Sequence, residues 1–149
     1  MVDTADTDAA PIAEHLLKHM TSSTTQEGKV LQNVSSAGVS AKPGSSMSTR
    51  ASNYLESLGI ETTGFSTRTL EPETIQSYEL TLASDMAVKG ILLFLAPGAQ
   101  IYTVSEYSLT GSDIPPMEEL DDEAYFRVCG ELNQMMTRVA KRANRNKTF

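Results

Sequence analysis

The sequence predicts an α/β domain of three layers, a short parallel sheet flanked by helices, and three features of the chain predict it. Short apolar runs alternate with helical patterns from one end to the other, the order expected of a parallel sheet covered on both faces. The last helical pattern is strict: Tyr125, Val128, Cys129, Leu132, Met135, Met136 and Val139 fall on one stripe at spacings of three and four. The chain opens on a polar loop that runs straight into a first helix. With 149 residues and no internal repeat, residues 1–149 are expected to form a single domain with its own core, ending in a basic tail from about residue 141.

The elements follow in order. Pro11 suits the first helical position, where a missing N–H costs nothing. Ile12, Leu16, Leu17 and Met20 then form an apolar stripe, and the helix is expected to end near Met20. Residues 21–28 are rich in Ser and Thr and read as a loop. Residues 29–36 read as a short strand, and 41–46 as a turn. A second helix is predicted over 46–58, with Met47, Ala51, Tyr54, Leu55 and Leu58 inward and Gly59 as its stop. Residues 60–66 are extended or irregular, and 72–77 form a short helix. A buried strand at 78–83 precedes a helix at 85–95, which Pro97-Gly98 terminates. A strand at 100–104 and a loop at 107–119 lead to the last helix. There Asp121 and Asp122 suit the positive end of the macrodipole, and Arg138, Lys141, Arg142 and Arg145 suit the negative end.

Charge narrows the function. The net charge is −7, which argues against nucleic acid or an anionic membrane as partner. No apolar run is long enough for a membrane span, and the acidic start has no charged-then-apolar leader, so a cytoplasmic location is expected. The single cysteine, Cys129, excludes an internal disulfide or a cysteine zinc cage. On the apolar stripe it reads as an unreactive core residue. The methionines read as core filler, and the basic cluster from Arg138 to Lys147 as a solvated helix end.

The loop of Asp3, Thr4, Ala5, Asp6, Thr7, Asp8 and Ala9 is the most informative stretch. A loop entering a helix N-terminus offers free backbone N–H groups to an anion. Here it carries three carboxylates and no base, so it has the shape of a phosphate cradle with the wrong charge. The aspartates at alternating positions also resemble half a calcium loop, but the closing Glu and the Gly turn are missing. The preferred reading is that they cap the helix. His15 and His19 stand at i and i+4 without a third ligand and read as a surface pair. No metal and no cofactor is expected.

Pro11-Ile-Ala-Glu-His-Leu-Leu resembles the start of the first helix in the low-molecular-weight protein tyrosine phosphatases. Ser36-Ala-Gly, the Met47-Arg50-Ala51-Leu55 helix with Gly59-Ile60, Phe65-Ser-Thr-Arg-Thr-Leu, Leu80-Thr-Leu-Ala-Ser-Asp, Leu95-Ala-Pro, and Val104-Ser-Glu-Tyr before Asp113-Ile-Pro resemble later segments of that family in order. The resemblance reaches about Ala140. It implies the family fold, with a central strand before the loop. Only Met1 and Val2 precede the loop here, so that strand is expected to be truncated or missing. In that case the neighbouring strands pair directly or the chain associates with itself, and an unknown protein partner is also allowed.

The resemblance also implies where chemistry belongs. The family loop reads Cys-x5-Arg-Ser/Thr-Pro. Counting back from Pro11, Asp3 takes the place of the nucleophilic Cys, Ala9 that of the phosphate-gripping Arg, and Ala10 that of the Ser. The general acid is an Asp before Pro in a late loop. Pro116 stands at that place, and Asp113 is the nearest displaced substitute. The reading is a catalytically inactive homologue, a pseudophosphatase with a binding or regulatory role. The competing reading is an active phosphotyrosine protein phosphatase or a related arsenate reductase.

Overall fold

A computed structural model of the chain describes residues 1–22 and 33–146. Its elements are β1 (Val2–Asp3), α1 (Ala9–Ser22), β2 (Ala37–Gly38), α2 (Thr49–Ser57), α3 (Pro72–Ser77), β3 (Thr81–Ala83), α4 (Met86–Leu95), β4 (Ile101–Thr103), α5 (Val104–Ser108), a 3₁₀ turn (Met117–Glu119) and α6 (Asp122–Asn146). The strands form a parallel sheet of order β2-β1-β3-β4. Of the strand expected at 29–36, residues 29–32 lie outside the described residues, as do 23–28 of the loop expected before it; residues 33–36 are not strand, and β2 comes just after them at Ala37–Gly38.

The first strand is present, two residues long, and central. Val2 pairs with both Ala37 and Ala83. The N–H groups of Val39 and Ser40 carry the ladder onward to the carbonyls of Asp3 and Thr4 at 2.9 and 2.8 Å. The direct pairing of the flanking strands expected from a lost strand therefore does not occur. The backbone groups that would have needed a partner chain find one in Val2 and Asp3, because a buried N–H or C=O takes the nearest extended backbone.

The sheet divides the core. On one side α1 and α6 pack together, with Ile12, Leu16, Tyr125, Cys129, Leu132 and Met136 at the centre. The stripe on α6 is buried at all seven of its expected positions. A smaller cluster of Val2, Ile75, Val88, Leu92 and Ile101 lies under α3 and α4.

Several expectations shift at element ends. α1 begins at Ala9 rather than Pro11 and continues to Ser22. α2 begins three residues later than expected, because the Ser48 hydroxyl caps it by accepting from Ala51 N. Leu58, expected inward, lies beyond the last turn and is 41% exposed; Gly59 beside it has φ 78°, the left-handed stop that favours glycine. The loop expected at 107–119 contains the end of α5 and the 3₁₀ turn. A capping box of Thr103 and Glu106 drives α5, a signal the apolar pattern does not carry. Lys141 to Asn146, expected as a tail, continue α6.

Candidate functional site

β1 delivers Asp3 to the carboxyl edge of the sheet, where ligands of open α/β folds bind. The chain then turns over Gly38 on its way into α1. A β-carbon on Gly38 would lie 2.7 Å from Thr4 O and 2.8 Å from Asp6 N, so only glycine lets the loop sit this low. Asp6 adopts a left-handed conformation, φ 58°, which Asp tolerates better than most residues.

The three aspartates point to different partners. Asp3 Oδ1 accepts from Asp6 N at 2.7 Å, and Oδ2 accepts from Ala10 N at 2.9 Å. Asp6, fully buried, accepts from Arg68 N at 2.9 Å. Its Oδ1 and the Ser36 hydroxyl are both buried without a hydrogen bond of normal geometry among the described residues, although the hydroxyl is close enough to favour the ionised carboxyl. Asp8 Oδ1 accepts from the Ser48 and Tyr125 hydroxyls, both at 2.5 Å, and Oδ2 accepts from the Thr7 hydroxyl at 3.0 Å. Asp8 thus ties the start of α1 to the first turns of α2 and α6.

Burial governs the titration of this cluster. It pushes the Asp3 carboxyl up to about 6, against the two N–H bonds that favour the ionised form. Asp6 is raised by burial too, with the Ser36 hydroxyl and the Arg68 N–H opposing. Tyr125 is raised by burial and by its bond to the Asp8 carboxylate. Cys129 is buried on α6, and burial, then the charge of Asp8, pushes its thiol up to about 12. It is a core residue, as expected.

The remaining predicted positions carry no reactive group toward the loop. Ala9 and Ala10 are buried methyl groups in the first turn of α1. Asp113 Oδ2 accepts from Met86 N at 2.9 Å, so its carboxylate is spent on the start of α4. Pro116 caps the 3₁₀ turn and is exposed. Thr4 and Ala5 are exposed at the crest of the loop. The histidine pair divides: His15 is largely covered, with Nδ1 2.8 Å from Pro11 O and its ring edge-on to Phe65 at 5.6 Å, whereas His19 is exposed. Among the described residues, no three His, Cys, Asp or Glu side chains converge as a metal site. The basic helix end is not all solvated either. Arg142 donates to Tyr107 O at 2.8 Å and covers the Tyr107 ring at 4.2 Å.

Two features escaped sequence reasoning. Arg50 donates to Leu120 O and Met117 O, pairs with Asp122, and lies 4.1 Å over the Tyr125 ring, so it fastens the segment before α6. The Asp8–Ser48–Tyr125 junction was equally hidden. Its one legible signal was a tyrosine on an apolar stripe, whose buried hydroxyl requires a partner.

Chemically, the loop supplies no thiolate and no guanidinium to an anion. The N–H groups of Asp6 and Ala10 are already engaged by a carboxylate tethered to β1. A phosphate dianion would have to displace that carboxylate and lie beside two further ones. A single like charge at 4 Å costs about 1 kcal/mol in water and about 4 kcal/mol near a protein surface.

The family model for low molecular weight phosphotyrosine protein phosphatases matches residues 1–148. No curated protein matches the sequence. Among solved structures, the YwlE arginine phosphatase from Geobacillus stearothermophilus superposes with a TM-score of 0.84 at 27% identity, covering 98% of this chain and 92% of that one. The low molecular weight protein tyrosine phosphatase from T. tengcongensis gives a TM-score of 0.80 at 24% identity, over 94% of this chain and 95% of that one. YfkJ from Bacillus subtilis gives a TM-score of 0.86 at 17% identity, over 99% and 94%, a likeness of fold. The family match spans nearly every residue and agrees with the sheet order and the loop-to-helix entry, and the chain belongs to the low molecular weight phosphotyrosine protein phosphatase family.

Proposed function

We propose that this protein is a catalytically inactive member of its family, cytoplasmic, and acting through binding or regulation rather than phosphate hydrolysis. The observation that carries the reading is the Asp3 carboxylate, which accepts the N–H groups of Asp6 and Ala10 at the mouth of α1. Covalent attack on phosphorus needs an activated nucleophile and stabilisation of the charge that develops. Asp3, Ala9, Ala10 and Pro116 provide neither, and Asp113 is engaged with α4. Relatives named as arginine or tyrosine phosphatases set the alternative outcome of the test.

The test is an assay of the purified protein with p-nitrophenyl phosphate and with phosphoarginine, beside a vanadate titration followed by thermal shift. No turnover above background and no vanadate response below roughly millimolar concentration are expected. An Asp3→Ser/Ala9→Arg variant, which empties the seat and supplies a guanidinium, is expected to gain a vanadate response. Vanadate-sensitive hydrolysis by the native protein overturns the reading.

A further inference from the structure

A second carboxylate centre lies farther along α1. Glu14 is on the inner side of the second turn of α1, with its side chain only 2% exposed. Its Oε1 accepts from Arg68 at 3.1 Å and its Oε2 from Lys18 at 3.2 Å, with His15 Nδ1 at 3.7 Å. Both cations remain about half exposed, 52% for Arg68 and 53% for Lys18. One buried anion therefore holds two long basic side chains at fixed places and neutralises only one of them.

The space these groups face is an open groove of about 350 Å³ between α1 and the segment ending at Arg68. That volume lies within the range of small-molecule sites, about 300–1,000 Å³. Its lining includes Glu14, His15, Lys18, Phe65, Ser66 and Arg68. Among the lining side chains two cations face one carboxylate, with the Asp6 carboxylate behind Arg68 and outside the lining, on a chain whose net charge is −7. Beside the cations stands an aromatic corner, His15 against Phe65 with ring planes at 63°. Arg68 uses one guanidinium nitrogen on Glu14, and the fork offers further donors to an anion.

We propose that this groove binds a small aryl anion, its acidic group held by Lys18 and Arg68 and its ring laid against Phe65 and His15. The buried Glu14 makes the site preorganised. Long basic side chains normally lose much rotamer freedom on binding, and here Glu14 has already ordered them. A bare inorganic anion uses the cations alone and leaves the aromatic corner unfilled, so the ring adds affinity and selects the class. The site adjoins the loop through the Arg68 backbone, whose N–H donates to Asp6, but its cations and rings lie outside the loop and do not depend on whether that loop hydrolyses anything.

The experiment is an NMR titration of the full chain with four probes: phenyl phosphate, benzoate, inorganic phosphate and phenol. Both aryl anions are expected to shift the amides of His15, Lys18, Phe65 and Ser66 with a saturable response. Inorganic phosphate should act at the same amides about tenfold more weakly, and phenol not at all. Lys18→Gln is expected to weaken both aryl anions about tenfold. Arg68→Lys keeps the charge and should weaken them less than Arg68→Gln, because the fork is lost and the cation stays. Phe65→Leu should reduce the aryl anions to the level of inorganic phosphate. No response to either aryl anion at roughly 10 mM overturns the proposal, as does an equal response to phenol. Shifts confined to residues 3–10 with phenyl phosphate overturn both this proposal and the closed-loop reading, whereas groove shifts without loop shifts support both.

Discussion

Two buried carboxylate centres sit within a few turns of each other, and they behave in opposite ways. At the loop, Asp3, Asp6 and Asp8 spend themselves on backbone N–H groups and on hydroxyls. At the groove, Glu14 spends itself on two cations that stay open to solvent. A carboxylate that takes N–H donors removes the very groups an anionic ligand would use. A carboxylate that takes long cations holds them where a ligand can reach them, and leaves net positive charge. The same carboxylate group therefore closes one site and builds another, and what decides is the partner.

The comparison breaks most visibly at Asp8. Asp8→Ala leaves the Ser48 and Tyr125 hydroxyls without their shared acceptor at a junction of three helices. Bonds to a charged acceptor are worth about 1.5–3 kcal/mol each, partly offset here by relief of a buried charge. A loss of about 3 kcal/mol is expected, read as a lower urea midpoint at unchanged slope. A change below about 0.5 kcal/mol would show that the junction is incidental. Tyr125→Phe, which removes one hydroxyl and keeps the ring beneath Arg50, should cost less than Asp8→Ala.

Gly38→Ala asks whether backbone packing, rather than the carboxylates, sets the loop. The added methyl would meet Thr4 O and Asp6 N, both backbone atoms, and Ala41 Cβ at 2.9 Å. Overpacking of this kind costs about 1–3 kcal/mol. Thermal melting should fall accordingly, and amide exchange at Asp6 and Ala10 should quicken, since their N–H bonds to Asp3 must lengthen when the loop lifts. Unchanged exchange at those two amides would show that the loop keeps its place without the close approach.

Much of this was legible in the chain. The α6 stripe, the order of strands and helices, and the loop-to-helix entry are all local periodicities or punctuation, so they can be read from residues. α3 was expected at its observed bounds because Pro72 opens it. What was hidden are the long-range partners. Nothing in Asp8 announces Tyr125, 117 residues away, and nothing in Glu14 announces Arg68. Short strands were hidden for another reason. Two residues carry no alternation, and β1 and β2 exist because each completes the other's ladder. Of the three aspartates expected to cap the first helix, only Asp3 takes an N–H of α1, at Ala10, and Asp8 takes hydroxyls alone. The structure assigns them separate tasks, and Asp6 reaches the Arg68 backbone rather than α1.

The acid response of the loop gives a smaller effect with a definite sign. The folded Asp3 carboxyl titrates near 6 against an ordinary 3.8. Its folded value is raised, so its contribution to stability is full below about 3.8 and is lost as pH rises through about 6. Going from pH 7.5 to pH 5 should add roughly 1–1.5 kcal/mol from this group. Asp6, raised by burial, acts in the same direction. The protein should melt higher at pH 5 than at pH 7.5. Asp3→Asn, which cannot titrate, should flatten the dependence whatever its absolute stability. A native protein that melts lower at pH 5 would mean that the N–H bonds, not burial, dominate Asp3.

The smallest effect is expected at the groove, and it sharpens the contrast with Asp8. Lys18 is half exposed and bonds one oxygen of Glu14. Removing the charge with Lys18→Gln keeps part of the aliphatic stem and leaves Glu14 with Arg68 on its other oxygen. Exposed i,i+4 pairs contribute about 0.3–0.5 kcal/mol, so the melting temperature should move by about one or two degrees. Arg68→Gln reaches the same carboxylate from a separate segment of the chain and should cost somewhat more, because Glu14 then stays buried with a single flexible cation. Added salt should weaken the Lys18 pair and leave the Asp3 and Asp8 bonds nearly unchanged, since exposed charges are screened and buried ones are not. If Lys18→Gln destabilised the fold as much as Asp8→Ala, the cations would be structural parts of the core, and the division between a closed centre and an open one would fail.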